Sequence, residues 1–189
     1  MKKALKIIIF VICLGASSSG LLVALNNYTS PLIAKNEELK LKSSVLEALN
    51  IEYESVKVEQ VFDNNVKVVS KDGLIFYRYQ DKAIAFQFSG AGLWGPIKGI
   101  VSIDSSLNKI SNIKILKQEE TPGLGGRITE ESFLNQFKGK SFRPSLIFVK
   151  GPAAKDNEID SITGATGTSK ALEDLLNKTI SEYVAVLER

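Results

Sequence analysis

Asp160-Ser161-Ile162-Thr163-Gly164-Ala165-Thr166-Gly167-Thr168-Ser169 is the stretch that decides the fold, because the clearest amphipathic helix of the chain follows it, from about Ser169 to Leu187. The apolar residues of that helix recur at spacings of three and four, which predicts one face packed on a core. Thr168 or Ser169 is a natural N-cap. The free N–H groups and partial positive charge of a helix N-terminus favour phosphate, and small neighbours leave the Thr166 hydroxyl accessible. The stretch therefore predicts a phosphate group bound beside threonine hydroxyls.

Short β-rich runs, separated by turn signals, lie upstream of this helix. A short helix is predicted around Glu130–Phe137. No internal repeat and no low-complexity linker divides this part of the chain. The pattern predicts one α+β domain over residues 53–189, with a mainly antiparallel sheet and a C-terminal helix. The predicted strands are Ser55–Phe62, Val66–Ser70, Gly73–Tyr79, Ala83–Phe88, Ile97–Ile103, Lys109–Gln118 and Ser145–Lys150.

Residues 1–28 have the pattern of a membrane anchor. Three lysines near the start precede the uncharged run Ile7–Leu25, which is close to the ~20 residues needed to cross a bilayer. A cleavable signal peptide has the same basic start, and the small residues Ala16–Gly20 would suit cleavage. The apolar run resumes after them and continues to Leu25, which favours a retained anchor.

The lysines also predict the orientation, since the positive-inside rule keeps their end in the cytoplasm. An imperfect helical stripe over Pro31–Asn50 predicts a helix leaving the bilayer. We therefore expect a single-pass protein of the inner (cytoplasmic) membrane. It would have an anchor over residues 1–28, a juxtamembrane helical stalk over residues 29–52 and a periplasmic or extracellular domain over residues 53–189.

The composition excludes several kinds of protein-borne chemistry. The 189 residues include no histidine and one cysteine, Cys13, inside the apolar run. Zinc and copper sites, histidine-bound haem, cysteine-held iron–sulfur clusters and Ser-His-Asp or Cys-His triads need residues that this chain lacks. The net charge is only +3, and no basic tract is interleaved with aromatics, so nucleic-acid binding has no support. Chemistry must come from carboxylates, hydroxyls and lysines, or from an organic cofactor, and no metal site is expected.

Three glycine-bearing segments interrupt the predicted strands and helices: Gly90–Pro96, Glu120–Gly126 and Thr163–Thr168. Glycine is used where the backbone bends tightly or approaches another group closely. Any one of these segments alone favours an ordinary turn. Three of them in a small domain, one holding the only tryptophan, predict a shared ligand site.

The segment Asp160-x-x-Thr163-Gly164-Ala165-Thr166 resembles the flavinylation motif of the FMN-binding domain family. Members include redox subunits of Rnf-type ferredoxin:NAD oxidoreductases and of sodium-pumping NADH:quinone reductases. In that family the last threonine of the motif is esterified to the 5′-phosphate of FMN by a flavin transferase that uses FAD. The resemblance therefore implies that Thr166 is a phosphoryl threonine carrying covalent FMN. The local residues alone argue only for a phosphate there.

Two further segments resemble signatures of the same family, Gly92–Ile97 and Glu120–Gly125. The resemblance implies that the three segments share one flavin site. Lys150 is open to two interpretations, a contact to flavin or phosphate and a solvated lysine, and Trp94 could instead be a core residue. The other expected cofactor-binding residues are Thr163, Gly164, Ala165 and Thr168 around the phosphate, Leu93, Trp94 and Leu124 along the ring, and Glu120, Thr121 and Gly123 near its edge.

The resemblance implies a membrane-anchored electron carrier with FMN, a redox subunit rather than an independent catalyst, and therefore without catalytic side chains. An Rnf-type ion-translocating complex is favoured, and the related FMN-carrying subunit of a sodium-translocating NADH:quinone reductase is the alternative. Expected partners are other membrane and iron–sulfur subunits, the flavin transferase and the lipid bilayer. A module that binds a phosphate-bearing ligand reversibly and a stand-alone extracytoplasmic flavin domain remain open as well.

Overall fold

The structure, a computed structural model, describes residues 2–189. Met1, the first residue of the predicted anchor, lies outside the described residues. The chain divides into two compact units, one ending at Lys40 and the other spanning Leu41–Arg189. The second unit contains every strand of the described chain and the C-terminal helix, which confirms the predicted α+β fold.

Helix α1 runs without interruption from Lys2 to Ala48. We predicted a helix over Pro31–Asn50, and the structure places this proline inside α1, which ends at Ala48. A proline in a helix removes one backbone hydrogen bond, and the long helical stretches on both sides retain theirs. The helix is long and apolar enough to cross a membrane, and its large apolar side chains from Leu5 to Leu25 are exposed. These features agree with an anchor, while the boundaries at residues 28 and 52 stay predictions.

The segment after α1 is helical rather than extended. A turn of 3₁₀ helix spans Ser55–Lys57, and α2 spans Val58–Asn65, so the predicted strand Ser55–Phe62 is wrong. Val58 and Phe62 are both buried, and a spacing of four brings two side chains to one face of a helix. Val56, which a strand would place on the same face as Val58, is 96% exposed.

Five strands form an antiparallel sheet, as the sequence predicted, and they lie in chain order. Asp72 and Gly73 connect the first two strands with φ angles of 52° and 79°, the left-handed conformation of a tight two-residue hairpin. Gly92–Gly95 connects the third and fourth strands, whose pairing ends at Ala91 and Pro96. The strands are β1 Lys67–Lys71, β2 Leu74–Tyr79, β3 Ala83–Ala91, β4 Pro96–Asp104 and β5 Ile110–Lys117.

The polypeptide between β5 and the last helix contains short elements. They are a 3₁₀ helix Gly125–Thr129, helix α3 Glu131–Leu134, a 3₁₀ helix Asn135–Phe137, and strands β6 Ile147–Val149 and β7 Glu158–Asp160. β6 and β7 pair in parallel. We did not predict β7, because it lies in a polar stretch. The Glu158 carboxylate accepts hydrogen bonds from the N–H groups of Ala154 and Lys155, a contact that a hydropathy pattern does not reveal.

Helix α4, Thr166–Leu187, packs on one face of the sheet. Its buried residues Leu172, Leu176, Ile180 and Val184 are four residues apart and so form a single stripe. Tyr183 stacks on Phe86 of β3, with ring centroids 4.3 Å apart. This contact packs α4, whose first turn carries the motif, against β3.

The end of α1 covers the opposite face of the sheet. Residues alternate between faces along a strand, so Ser102 of β4 points away from α4. Its hydroxyl donates a 2.5 Å hydrogen bond to the carbonyl of Ala48. Asn112 Nδ2 on β5 donates to the carbonyl of Glu47 at 3.0 Å. Because the last carbonyls of a helix have no intrahelical donors, these two side chains complete the C-terminus of α1.

We expect Asn112→Ala to lower the free energy of unfolding by about 1–3 kcal/mol, because the hydrogen bonds of its side-chain amide to the Glu47 carbonyl and to the Asn50 side chain are both lost. Urea unfolding of the purified protein followed by circular dichroism measures the change. Ser111→Ala, at the neighbouring position on the same strand, is the matched control, with an expected change within about 0.5 kcal/mol. Equal stability of Asn112→Ala and the wild type would contradict the capping role.

Candidate functional site

Helix α4 begins three residues earlier than its sequence pattern suggests. Its N-cap is Ala165 and its first helical residue is Thr166, so the prediction of Thr168 or Ser169 as N-cap is wrong. The Ser169 hydroxyl accepts a hydrogen bond from the N–H of Ile162 at 3.1 Å. This buried contact joins the segment before α4 to the first turn of the helix. Thr166 therefore lies among the first N–H groups of the helix, which have no intrahelical acceptors.

Thr166 is exposed, and it lines a cavity of about 310 Å³. This volume lies in the range of small-molecule sites. Lys150, Thr163 and Gly164 line the same cavity, so the structure brings together four of the predicted site residues. The cavity offers hydroxyls, a lysine and a helix N-terminus, the groups that bind a phosphate. Three further lining residues were not predicted, although all lie within two positions of predicted ones: Gly151, Ser161 and Ile162.

Two leucines from the other glycine segments lie against the backbone beside Thr166. Leu93 Cδ2 is 2.8 Å from the point where a Cβ on Gly167 would stand, and Leu124 Cδ2 is 3.2 Å from that of Gly164. Gly164 also has a φ of +80°, a conformation that L-residues with side chains rarely adopt. Glycine at both positions thus permits the three segments to meet.

The apolar side chains of this region are open to solvent. Leu93 is 53% exposed, Trp94 74% and Leu124 46%. Trp94 is therefore not the core residue that we considered as an alternative. An exposed apolar group of this kind next to a polar cavity is typical of a binding surface. Together the cavity and the exposed apolar residues suit a ligand with a phosphate and a flat apolar ring, as FMN has.

Glu120 is buried, with 4% of its surface exposed. Its Oε1 accepts a hydrogen bond from the N–H of Trp94 at 3.1 Å, and its Oε2 accepts one from the Thr168 hydroxyl at 2.5 Å. Thr168 is also buried. We predicted that both side chains contact the ligand, which stays a prediction; in this structure they contact each other. They join the Gly90–Pro96 and Glu120–Gly126 segments to the first turn of α4.

Glycine at two motif positions is required by this buried carboxylate. A Cβ on Gly92 would lie 2.3 Å from Glu120 Oε1, and one on Gly125 would lie 2.4 Å from Thr168 Oγ1. Distances this short force the neighbouring groups to move. Close packing around the Glu120 carboxylate is therefore a structural reason for glycine at both positions.

The remaining predicted residues shape the backbone. The carbonyl of Thr121 accepts hydrogen bonds from the N–H groups of Leu124 and Gly126 at 3.2 and 2.9 Å. Gly123 supports this turn with a φ of +73°, and Ala165 is buried beneath the helix start. Asp160 of the motif accepts a hydrogen bond from the N–H of Ala153 at 2.5 Å. The turn at Thr121 places Leu124, and the contact at Asp160 holds the chain next to the cavity.

Burial alone would raise the pKa of Glu120, but hydrogen bonds from the Thr168 hydroxyl and from the N–H groups of Trp94, Leu93 and Gly95 lower it below its ordinary value. A lowered folded-state pKa adds stability above the ordinary glutamate pKa, and that stability is lost as pH falls through the folded-state pKa.

We therefore expect acid to destabilise the wild type more than Glu120→Gln in the range below pH 4.5, the ordinary value for this side chain. Urea unfolding at a series of pH values measures the difference. Glu119→Gln, an exposed neighbour, is the control and should keep the wild-type pH dependence. An unchanged pH dependence in Glu120→Gln would contradict the assignment.

The chain is similar to known proteins in sequence and in fold. Residues 92–181 match the model of the FMN-binding domain family. One subunit of the Na+-translocating NADH-quinone reductase of Vibrio anguillarum is 36% identical over 91 residues, which are 44% of this chain and 36% of that protein. One subunit of the Na+-translocating ferredoxin:NAD+ oxidoreductase complex of Acetobacterium woodii is 38% identical over 94 residues, 49% of this chain and 44% of that protein. The matched part thus spans less than half of either relative.

A solved structure gives a longer match. The corresponding subunit of the Na+-translocating NADH-quinone reductase from Parabacteroides distasonis superposes with a TM-score of 0.71 and 27% sequence identity. The match covers 84% of this chain and 96% of that one. Residues 92–181 therefore match the FMN-binding domain family, within a chain whose fold resembles that of this reductase subunit.

Proposed function

We propose that this chain is a membrane-anchored electron carrier that holds FMN through a phosphoester bond to Thr166. The observation that carries the proposal is the position of Thr166, exposed at the first residue of α4 and beside Lys150 and Thr163 in one cavity. A helix N-terminus and a nearby ammonium group both favour a phosphate at this point. The match of residues 92–181 to the FMN-binding domain family supports FMN as the ligand.

Attachment requires an enzyme that transfers the FMN part of FAD. The Thr166 hydroxyl oxygen forms a bond to the phosphorus of FMN, the pyrophosphate bond of FAD breaks, AMP leaves, and the hydroxyl proton is lost. The FMN supplies the electron-transfer chemistry once it is bound. The protein supplies the phosphate cavity around Thr166 and the exposed apolar residues Leu93, Trp94 and Leu124 beside it.

The anchor explains why a covalent bond would be useful. With the lysines near its start in the cytoplasm, α1 would place the domain of residues 53–189 outside the cytoplasmic membrane. The residues 29–52 would then form the stalk. A phosphoester prevents loss of the cofactor on that side. Alkaline phosphatase fused after Arg189 should be active in whole cells, and an inactive fusion beside an active periplasmic control would contradict this orientation.

We further propose that the carrier works as a redox subunit of an ion-translocating complex of the Rnf type, with other membrane and iron–sulfur subunits as partners. The related ferredoxin:NAD+ oxidoreductase subunit of Acetobacterium woodii supports this choice. The fold similarity to the Parabacteroides distasonis subunit favours a Na+-translocating NADH-quinone reductase as a second candidate. Purification of the tagged chain from its native membrane, followed by identification of its co-purifying subunits, distinguishes the two.

The proposed function is tested by detecting flavin that is covalently bound to the chain. We would co-express the full chain with a flavin transferase, denature it and examine the gel under ultraviolet light. Yellow fluorescence that migrates with the chain is expected, since denaturation releases any flavin that is not covalently bound. A wild-type band without fluorescence, beside a labelled band of an established transferase substrate, would refute covalent flavinylation.

A further inference from the structure

Glu120 presents a buried carboxylate without a basic partner among residues 2–189. Burying an ionised carboxylate is costly unless hydrogen bonds replace its water shell. The donors come from two other segments of the chain, the Thr168 hydroxyl on α4 and the N–H of Trp94 in the β3–β4 loop. The N–H groups of Leu93 and Gly95 also lower its pKa. One side chain thus links two segments that are distant in the sequence.

The carboxylate is enclosed by the protein, since only 4% of the Glu120 surface is exposed. Each of its oxygens already accepts a hydrogen bond from the protein. Gly92 and Gly125 cover it so closely that a Cβ on either would lie 2.3 Å or 3.0 Å from one of its oxygens. Any effect of Glu120 on the cofactor must therefore be indirect, through the loop that it holds.

That loop carries the exposed Trp94. The N–H of Gly92 donates to the carbonyl of Gly95 at 2.7 Å, which closes a tight turn around the carboxylate. Leu93 rests on the backbone of Gly167. Trp94 itself is 74% exposed. Its position is therefore set by the hydrogen bonds of its backbone and not by burial of its ring.

We propose that Glu120 is a positioning residue of the flavin site, which fixes the loop carrying Leu93 and Trp94 at the helix turn that carries Thr166. The inference rests on the proposed function. Because Glu120 does not contact Thr166, its loss should leave covalent attachment intact. It should, however, release the apolar residues that face the ring.

The first measurement uses the full chain without flavin. Hydrogen exchange followed by mass spectrometry reports the peptide that contains Trp94, whose N–H donates a hydrogen bond to the carboxylate. We expect loss of this protection in Glu120→Ala. Glu120→Gln should restore it, since the amide oxygen still accepts the hydrogen bond from Trp94. Glu119→Gln, with an exposed side chain on the adjacent residue, should exchange like the wild type.

The second measurement uses the flavin-loaded chain. The visible circular dichroism of FMN depends on how firmly its surroundings are held. We expect Glu120→Ala to retain gel fluorescence and lose this signal, and Glu120→Gln to recover it. If Glu120→Ala does not fold, Thr168→Val and Thr168→Ser make the same comparison, with loss expected for valine and retention for serine.

Wild-type exchange and wild-type dichroism in Glu120→Ala would overturn the inference. The inference would also be overturned if a folded Glu120→Gln variant failed to restore either signal. The glutamine amide oxygen would then be present as a hydrogen-bond acceptor without effect. Absence of covalent flavin from the wild type would refute the proposed function instead. The exchange measurement uses the flavin-free chain, so it tests the role of Glu120 in the loop whether or not the wild type carries covalent flavin.

Discussion

Thr166→Ala is expected to abolish covalently bound flavin and reduce gel fluorescence to background, while the protein keeps its fold. The variant removes the hydroxyl that would form the phosphoester. Thr166 is exposed at the first helical position, where alanine is compatible with the helix. Expression with a flavin transferase, denaturing electrophoresis and mass spectrometry of the intact chain measure the result.

Two controls make this experiment specific. Thr163→Ala removes the other threonine hydroxyl of the same cavity and should retain covalent flavin. Thr166→Ser keeps a hydroxyl at the acceptor position and should be flavinylated. Fluorescence that persists in Thr166→Ala and disappears in Thr163→Ala would transfer the acceptor role to Thr163.

Phe86→Ala is expected to lower the free energy of unfolding by about 3–5 kcal/mol, as large-to-small changes of buried aromatic residues do. Phe86 is fully buried on β3 and stacks on Tyr183 of α4. Its removal leaves a cavity between the sheet and the helix that presents Thr166. Small proteins have a total stability of only about 5–15 kcal/mol, so this single change removes a large share.

Urea unfolding of the purified chain in detergent, followed by circular dichroism, measures the loss. Val68→Ala is the matched control in the same sheet, because Val68 is 53% exposed on the edge strand β1. Its expected effect is within about 0.5 kcal/mol. Similar stabilities of the two variants would show that the contact between α4 and β3 does not hold the domain together.

Much of the fold could be predicted from local patterns. The buried stripe of α4 was visible in the sequence because leucine and isoleucine recur with the helical period. The strands β1–β5 were visible because turn residues separate them, as Asp72-Gly73 does between β1 and β2. These elements depend on neighbouring residues, so a single sequence contains their signal.

Other elements depend on distant partners and were not predicted. The apolar residues of Ser55–Phe62 fit either a strand or a helix, and burial of Phe62 beside Tyr77 settled the choice, with ring centroids 6.2 Å apart. Strand β7 is polar in sequence and exists because it pairs with β6. Tertiary contacts override local propensity in both cases.

The sequence by itself excluded histidine-bound metal sites and histidine-containing catalytic triads, because the chain has no histidine. It also predicted that three glycine segments and a helix start share one ligand site. Only the tertiary structure distinguished Thr166 from Thr168. At 3.6 residues per turn, positions two apart in a helix differ by about 200° in direction. Thr166 therefore faces the cavity, while Thr168 points inward to Glu120, a partner 48 residues away in the chain.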